Sequence, residues 1–545
     1  MRRSRTDQSR RATWCLLFLA TVAASCAPQG NTVETALAVV SRDAIQASID
    51  YLAADERQGR LTGTAGYDDA AQFVAQQFAA MGLEPGGTDG WMQPVPMIRR
   101  TLDASASGVT LHTMSGQEDL RWIEDAIVYA DPERAENRIQ AEVVYVGFGV
   151  HAPELGYSDY DSVDVTGRIV AMFGGAPSSF PSTERAHYSS SRTKAEELAR
   201  RGAVGLIRLS SSTNLEGSIE PFELSWVGVD GQIADFLPEI EGHARLSQSG
   251  SQRLFAQAPV TFGQASQAAD NAEVASLPLN IEATLYRRSE HERLTSPNVV
   301  GILPGTDPEL GDEHVVYSSH LDALGTGEPV DGDAIYNGMW DNALGVAMML
   351  ETARALAALP DGPRRSLVFV AVTGEEWSLL GSDYFAQNPT VPAEGIVASV
   401  NLDMPLVFFP LNTVTGYGAE HSSLEELMTT EAGYEGFTYT PDPYPEEVYF
   451  IRSDQYSFVR QGIPSLYLAE SIGSSDPNID GREVIDAFTA EHYHKPSDDL
   501  TSTPIHWDTA LRFVRASVRI GYRIATDDAR PTWNEGDFFG DRFGR

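Results

Sequence analysis

Cysteine is nearly absent from this chain. Its 545 residues include only Cys15 and Cys26, both close to the amino terminus. The chain beyond residue 26 can therefore form no internal disulfide, and it offers no thiolate to a metal ion. A metal bound by that part of the chain must be held by histidine and carboxylate side chains.

Basic residues are also scarce. The sequence has 39 lysines and arginines against 77 aspartates and glutamates, which gives a net charge of −38. Nucleic acid binding needs a basic surface, so this balance argues strongly against a nucleic acid partner. The charge does not name a substrate, because acidic surfaces also serve solubility. The length allows two or three folded domains.

The amino-terminal apolar stretch, residues 14–24, is short. It falls below the roughly 20 residues that a transmembrane helix needs. Five arginines precede it, and Ala23-Ala24-Ser25-Cys26 at its end resembles a bacterial lipobox. We therefore predict that residues 1–26 are a lipoprotein signal peptide and that lipidated Cys26 anchors an exported protein in the cell envelope, at the periplasm or outer membrane. That anchor would be the protein's contact with the membrane. The alternative is a plain secretory signal, cleaved nearby.

The rest of the chain divides into segments that differ in their pattern of apolar, polar and turn-forming residues. We predict a linker at 27–40, the first part of the main domain at 41–119, an inserted β-rich module at 120–290, the main α/β domain at 291–530 and a tail at 531–545. Strands and helices alternate from Ser296 onward, which predicts an α/β fold with a mainly parallel central sheet flanked by helices. Apolar periodicity predicts helices at Ile45–Leu52, Asp68–Met81, Lys194–Arg201, Gly345–Leu359 and Leu511–Ile524, and one that starts at Trp377. It predicts strands at Val143–Val150, Ile169–Phe173, Gly205–Leu209, Asn298–Leu303, His314–Ser319, Leu367–Val372 and Ile396–Leu402.

Two adjacent acids, Glu375 and Glu376, follow the apolar run Leu367–Val372 and one threonine. The run is typical of a strand that is buried on both faces. Open α/β sheets place their active sites at the carboxyl ends of such strands. Neighbouring carboxylates repel each other unless a cation compensates them, so the pair suggests a cation site. A solvated loop is the alternative.

Other polar residues stand at similar positions. His320 and Asp322 follow a predicted strand, and residues i and i+2 of an extended segment face the same way. Asp322 can thus orient the imidazole of His320, as carboxylates do for metal-binding histidines, or the two can form a structural hydrogen bond. Asp341 precedes a predicted helix, where it would either cap the helix or bridge two cations.

Five potential ligands emerge from the order of these motifs. Two histidines and three carboxylates suit a pair of zinc ions that share one carboxylate. Glu375 would then be free to act as a general base. The five candidates are His320, Asp341, Glu376, Asp403 and His494.

The same motifs carry a family resemblance. The series His-x-Asp, Gly-x-x-Asp-Asn-x-x-Gly, Gly-Glu-Glu, Asn-Leu-Asp and Tyr-His-x-Pro-x-Asp resembles the M28 family of zinc aminopeptidases and related exopeptidases. The segment around Gly59, Arg60 and Thr62 is similar to the start of bacterial members. The resemblance implies a zinc-exopeptidase (phosphorylase/hydrolase-like) fold for the catalytic domain at 291–530, and residues 120–290 resemble an inserted protease-associated domain.

The resemblance also implies roles for the residues. One zinc ion would bind His320, Asp403 and the bridging Asp341, and a second would bind Glu376, His494 and the same Asp341. Glu375 would take the proton of a metal-bridging water and pass it to the leaving amine. Asp322 would orient His320. Tyr493 would stabilise the oxyanion, with a packing role as the alternative.

Three residues depart from what many relatives carry. They are Trp340, Leu344 and Gln455, and we expect them to bear on the shape of the substrate cleft. None of them removes a predicted metal ligand.

The resulting prediction is an exported di-zinc aminopeptidase that acts on peptides. A carboxypeptidase and a glutaminyl-cyclase-like transferase are alternatives within the family, and the inserted module argues against the cyclase. A binding or receptor-like protein that has lost catalysis would lack ligands or the base, whereas this chain keeps Glu375 and all five ligands. The sequence leaves the preferred residue, the role of the module and the oligomeric state open.

Overall fold

The computed structural model describes residues 32–271 and 276–545. The predicted signal peptide, with Cys26, and the first residues of the predicted linker lie outside this range. Within it, none of the helices combines the length and the apolar character that a membrane crossing requires.

The amino-terminal segment joins the core through two amphipathic helices, which confirms both predicted helices here. Ile45, Ile49 and Leu52 share one buried face of the first. The second ends at Gly82, whose φ of 82° is the left-handed conformation that glycine adopts most easily. The elements are α1 (Val33–Leu37), α2 (Arg42–Leu52), α3 (Ala65–Met81), β1 (Glu84–Pro85) and β2 (Met92–Leu102).

The predicted linker is wrong over part of its length. Residues 33–37 form α1, and Ala36 and Leu37 are buried in the main hydrophobic core. Burial of these two side chains and the ion pair between Glu34 and Arg519 hold this short segment against the core.

The inserted module is built on its own sheet, with four parallel strands at the centre. Two predicted strands, Ile169–Phe173 and Gly205–Leu209, are confirmed to the residue. The predicted strand Val143–Val150 ends at Tyr145 instead, because Gly147 and Gly149 adopt positive φ values and turn the chain. The elements are β3 (Gly108–Thr113), β4 (Gly116–Asp119), β5 (Ala126–Val128), β6 (Glu136–Tyr145), β7 (His151–Ala152), β8 (Tyr157–Ser158), β9 (Ile169–Phe173), α4 (Ser182–Ser189), α5 (Ser191–Arg200), β10 (Gly205–Leu209), β11 (Glu223–Trp226), β12 (Gly242–Leu246), α6 (Gln248–Leu254) and α7 (Phe262–Asp270).

The main domain contains the remaining elements and follows the predicted alternation of strands and helices. Its predicted helix at Trp377 begins later, at Leu380, because Ser378 and Leu379 both have positive φ. The elements are β13 (Leu277–Leu303), β14 (His314–His320), β15 (Gly325–Val330), β16 (Asp333–Tyr336), α8 (Leu344–Ala357), β17 (Ser366–Val372), α9 (Leu380–Gln387), β18 (Ile396–Asn401), β19 (Thr413–Tyr417), α10 (Leu424–Tyr434), β20 (Thr438–Tyr439), α11 (Gln455–Val459), β21 (Ser465–Glu470), α12 (Gly481–Glu491), α13 (Trp507–Thr526) and α14 (Phe538–Phe543).

The central sheet has the order β11-β2-β13-β17-β14-β18-β21-β19-β20. Strands β17, β14, β18 and β21 run parallel, and antiparallel strands flank them. Alternate residues of β14 enter opposite cores: Val315 packs with α8 and α13, whereas Val316 packs with Phe385 and Phe458 of α9 and α11. The predicted fold class is thereby confirmed.

Strand β13 belongs to both sheets. Its first part pairs with β3 and β6 in the module, and residues 289–299 pair with β2 in the central sheet. The module's sheet therefore begins at Gly108, before the predicted boundary at 120, because β3 pairs with the module end of β13.

The predicted tail is partly folded. Within 531–545, α14 packs Phe539 against His421 and Phe450 of the main domain. Phe538 contacts Tyr188 of α4, in the module. The carboxy-terminal segment thus touches both parts of the molecule.

Candidate metal centre

The five predicted ligands meet at the carboxyl edge of the parallel strands. His320 is the last residue of β14, Glu376 follows β17, and Asp403 follows β18. Asp341 precedes α8 and His494 follows α12. This edge is where open α/β sheets place their sites, because the loops that leave parallel strands converge there.

The first group of ligands surrounds His320. Its Nε2 atom lies 3.0 Å from Oδ1 of Asp403 and 3.1 Å from Oδ1 of Asp341. All three side chains are buried. One ligand atom from each residue lies within 4.8 Å of the others, which is close enough to share a metal ion.

The second group surrounds His494. Its Nε2 atom lies 3.3 Å from Oδ2 of Asp341 and 3.2 Å from Oε2 of Glu376. Asp341 thus offers one oxygen to each group. The arrangement matches the one that the family resemblance implies.

The donor set fits divalent cations. Oε1 of Glu376 is buried and has no hydrogen-bond partner among the described residues, so it is free to bind a cation. Uncompensated buried carboxylates are costly unless a cation balances them. Imidazole nitrogens and carboxylate oxygens together suit zinc.

The Asp322 carboxylate, predicted to orient His320, forms no hydrogen bond with that imidazole. The Nδ1 atom of His320 lies 3.2 Å from the Asp322 carbonyl oxygen and 3.9 Å from its carboxylate. The carboxylate instead accepts hydrogen bonds from the Glu375 backbone N–H at 3.1 Å and from the Thr62 hydroxyl at 3.2 Å. The backbone of Asp322 contacts His320, whereas its side chain holds the segment that carries Glu375.

Asp341 does not cap helix α8, which has no side-chain cap. Its side chain faces the two histidines instead. The backbone N–H groups of Trp340 and Asp341 donate to the two carboxylate oxygens of Asp498, at 2.8 and 3.1 Å. Asp498 stands in the Tyr-His-x-Pro-x-Asp motif, and it fixes the loop that presents Asp341.

Glu375 sits in the turn between β17 and α9. Its carbonyl oxygen accepts from the N–H groups of Ser378 and Leu379, both at 2.9 Å. Burial raises the pKa of Glu375 well above its usual range; His320 opposes this shift, and Asp403 and Asp454 add to it. A carboxyl group with a raised pKa suits proton transfer near neutral pH.

Tyr493 packs face to face on His494, with ring centroids 3.8 Å apart. Arg452 lies 3.4 Å from its hydroxyl oxygen through Nη2. Burial raises the pKa of Tyr493 well above its usual range, and Asp341 and Glu376 add to the shift. The hydroxyl therefore stays protonated and can donate a hydrogen bond.

Sequence reasoning missed the role of Ser453, whose hydroxyl donates to Oδ2 of Asp403 at 2.6 Å.

Sequence reasoning also left Arg60 without a role. This buried guanidinium donates to four backbone carbonyls, on Leu52, Leu321, Asn337 and Gly338, at 2.6–2.9 Å. Arg60 thereby joins the segment after His320 to the segment before Asp341. The Gly59-Arg60 motif was the sequence feature that could have pointed to this role.

The three departures from the family pattern do not shape the cleft as expected. Trp340, Leu344 and Gln455 each have no exposed surface. The Trp340 ring packs against Phe408, and the Gln455 amide donates to the Phe450 carbonyl at 2.8 Å. These residues pack the interior.

Two cavities adjoin the site. A cavity of about 850 Å³ is lined by Glu375, Glu376 and His494 and by module residues such as Arg208. A second, of about 470 Å³, extends from Met404, which follows Asp403, to Tyr493. The module therefore forms part of the wall above the candidate centre.

Comparison with known proteins identifies the main domain. The family model described as Peptidase family M28 matches residues 298–520. This segment belongs to peptidase family M28. It contains all five candidate ligands, together with Glu375 and Tyr493, and the resemblance inferred from the motifs is confirmed there. The family is one of zinc metallopeptidases.

Curated relatives match part of the chain. A "Probable zinc metalloprotease" of Phaeosphaeria nodorum is 26% identical over 246 residues, which cover 42% of this chain and 46% of the relative. A "Probable leucine aminopeptidase" of Arthroderma benhamiae is 28% identical over 230 residues, or 39% of this chain and 59% of the relative. The match thus spans about half the length of these relatives.

A solved structure shares the fold over most of the chain. An aminopeptidase from Aneurinibacillus sp. strain AM-1 aligns with a TM-score of 0.52 at 18% identity, covering 92% of this chain and 97% of that one. At this level of identity the comparison shows the fold alone.

Proposed function

We propose that this protein is an exported di-zinc metallo-exopeptidase that removes amino-terminal residues from peptides. The observation that carries the proposal is the pair of ligand groups joined by Asp341, with Glu375 beside them. The names of the M28 relatives support an aminopeptidase over a carboxypeptidase.

The chain would hold the two ions with separate residues and one shared carboxylate. His320 and Asp403 would bind one ion, Glu376 and His494 the other, and Asp341 both. When bound, zinc ions lower the pKa of a coordinated water and polarise a carbonyl group.

The protein's own groups would perform the proton transfers. Glu375 would accept the proton of the attacking water and later deliver it to the leaving amine, for which its raised pKa is suited. The Tyr493 hydroxyl would donate a hydrogen bond to the oxygen of the tetrahedral species. The Asp322 carboxylate would hold the Glu375 backbone in place through the 3.1 Å hydrogen bond.

The module contributes to the wall of the larger cavity, and we propose that it limits access to the centre. Its identity as a protease-associated domain is part of this proposal. Export and a lipid anchor at Cys26 are inferred from residues 1–26 alone.

The test compares two substitutions in protein purified without its signal segment. Glu375→Gln should keep two zinc ions and the fold but lose about 10²–10⁴-fold in kcat, because it removes the general base. Asp341→Ala should lose zinc as well, because it removes the shared ligand. Zinc content by atomic emission and rates on aminoacyl para-nitroanilides, with and without a chelator, measure both effects.

The same protein is used to test which terminus of a peptide substrate the enzyme cleaves. Chelator-sensitive release from free-amine substrates but not from amino-blocked peptides supports the aminopeptidase. Activity on blocked peptides alone would indicate a carboxypeptidase. Full activity with unchanged zinc in both variants would refute the proposed centre.

A further inference from the structure

The smaller cavity, of about 470 Å³, lies on the Asp403 side of the centre. Met404 and Tyr493 form its inner end, each adjacent in sequence to a candidate metal ligand. A side chain next to a peptide bond held at the centre can therefore enter it.

Besides Tyr493, four tyrosines line this cavity: Tyr417, Tyr444, Tyr449 and Tyr467. Their rings form a continuous chain, in which Tyr417 lies 5.3 Å from Tyr467 and 5.9 Å from Tyr449, and Tyr444 lies 6.1 Å from Tyr449 between ring centroids. The Tyr444 hydroxyl is buried and lies beside the Asp486 carboxylate. The wall thus combines aromatic surface with polar groups.

The last residue of β21, Glu470, adds a carboxylate to the same wall. Its Oε2 atom accepts from the Leu406 N–H at 3.0 Å. In residues 32–271 and 276–545, no lysine, arginine or histidine nitrogen lies within 4.0 Å of it, nor of Asp486, which also lines the cavity. The other two acids, Glu446 and Glu447, pair with Arg482 at 3.9 Å and Arg452 at 3.7 Å. The cavity therefore keeps a net negative charge.

Carboxylates beside aromatic faces attract cations, because the ring faces carry negative charge as well. Two rings of this set already hold guanidinium groups: Arg482 lies 4.2 Å from the Tyr444 centroid, and Arg452 lies 5.3 Å from that of Tyr449. The long, partly apolar stems of lysine and arginine suit such a wall.

We propose that this cavity binds the lysine or arginine side chain at the amino terminus of the substrate, and that Glu470 is the carboxylate that pairs with it. The proposal rests on the proposed aminopeptidase function and names its substrate class. Glu470 acts as a specificity residue and takes no part in proton transfer.

The first test uses the unmodified enzyme and three para-nitroanilides, of lysine, Nε-acetyl-lysine and norleucine. Acetylation keeps the stem and removes the charge. We expect kcat/KM for lysine to exceed that for the other two by about tenfold or more, the value of a charge-assisted hydrogen bond of 1.5–3 kcal/mol. Equal or better turnover of norleucine would overturn the proposal.

The second test is Glu470→Gln, which keeps an oxygen for the Leu406 N–H and removes the charge. The ratio of kcat/KM for lysine to that for norleucine should fall about tenfold. The control Glu446→Gln, at the half-exposed rim, should change the ratio by less than about twofold because exposed ion pairs contribute little.

The outcomes separate the two proposals. Norleucine turnover with a ratio that Glu470→Gln leaves unchanged would refute the role of Glu470 and leave the aminopeptidase standing. No chelator-sensitive turnover of any free-amine substrate would refute the aminopeptidase, and the specificity proposal with it.

Discussion

At the scale of single residues, Asp322 shows how one side chain's role depends on contacts that spacing alone does not give. The His-x-Asp spacing placed it beside His320, and the structure does bring the two residues together. The carboxylate, however, binds Thr62 and the Glu375 backbone, which come from distant parts of the chain. No local pattern indicates such partners.

This geometry predicts the effect of replacing Asp322. Asp322→Ala should lower kcat about 10–100-fold, the usual cost of losing a supporting hydrogen bond at such a centre. Zinc content should stay unchanged, because His320 contacts the carbonyl of residue 322 and not its carboxylate. Kinetics and metal analysis on the same preparation measure both.

The control is Asp322→Asn, whose amide oxygen can still accept from the Glu375 N–H. It should recover most of the lost kcat. Loss of zinc in the alanine variant would show instead that the carboxylate supports His320 directly.

Four of the five ligands were predictable because each follows a strand or adjoins a helix whose apolar pattern is strong, and His494 was found through its Tyr-His-x-Pro-x-Asp motif. Ser453 and Glu470 were not. Each touches the site through tertiary contacts, and a lone serine or glutamate carries no periodic signal. Trp340 and Gln455 were misplaced in the cleft because the sequence does not show which way a side chain near the centre points.

At the scale of elements, buried strands such as β9, β10 and β17 were predicted within a residue, since each is a compact apolar run. The predicted strand at 143–150 failed where two glycines turn the chain. The predicted tail failed because the docking of α14 depends on a few aromatic contacts with distant residues.

The anchor of α14 gives a prediction for that element. Asp537 caps the helix by accepting from the N–H groups of Phe539 and Gly540, and it accepts from His421 Nδ1 at 2.6 Å. Asp537→Ala should weaken docking of residues 531–545 by about 2–4 kcal/mol, from a lost cap and a lost charged hydrogen bond. Hydrogen exchange within the segment measures it, and Asp537→Asn, which can keep the cap, should lose less.

The hydrogen bond between His421 and Asp537 predicts that docking of residues 531–545 depends on pH. Burial lowers the pKa of His421, but the hydrogen bond to Asp537 and the charge of Glu420 outweigh it, so the pKa is raised. The stability that the His421–Asp537 pair adds is complete below about pH 6.5, the pKa of histidine in the unfolded chain. It is lost as pH rises through the raised pKa of His421. Exchange protection in 531–545 should therefore fall on the alkaline side, and protection that grows with pH would contradict the assignment.

At the scale of the whole molecule, the inferred signal segment gives a prediction about location. Cys26→Ser in the full-length chain should move the protein from the membrane fraction to the soluble fraction of a bacterial host, because the acylated thiol is lost. Export itself should persist. Equal membrane association of both forms, measured by immunoblot after ultracentrifugation, would exclude Cys26 as the anchor.

The continuity of β13 sets a rule for how this architecture can change. Successive residues of a strand face opposite sides, so one added or deleted residue reverses every side chain beyond it. Between the part that pairs with β6 and the part that pairs with β2, near residue 289, such a change would turn one sheet inside out relative to the other. Grafts that exchange the module between relatives should therefore change the length of this strand by an even number of residues or not at all. Natural length variation should accumulate in the turns instead.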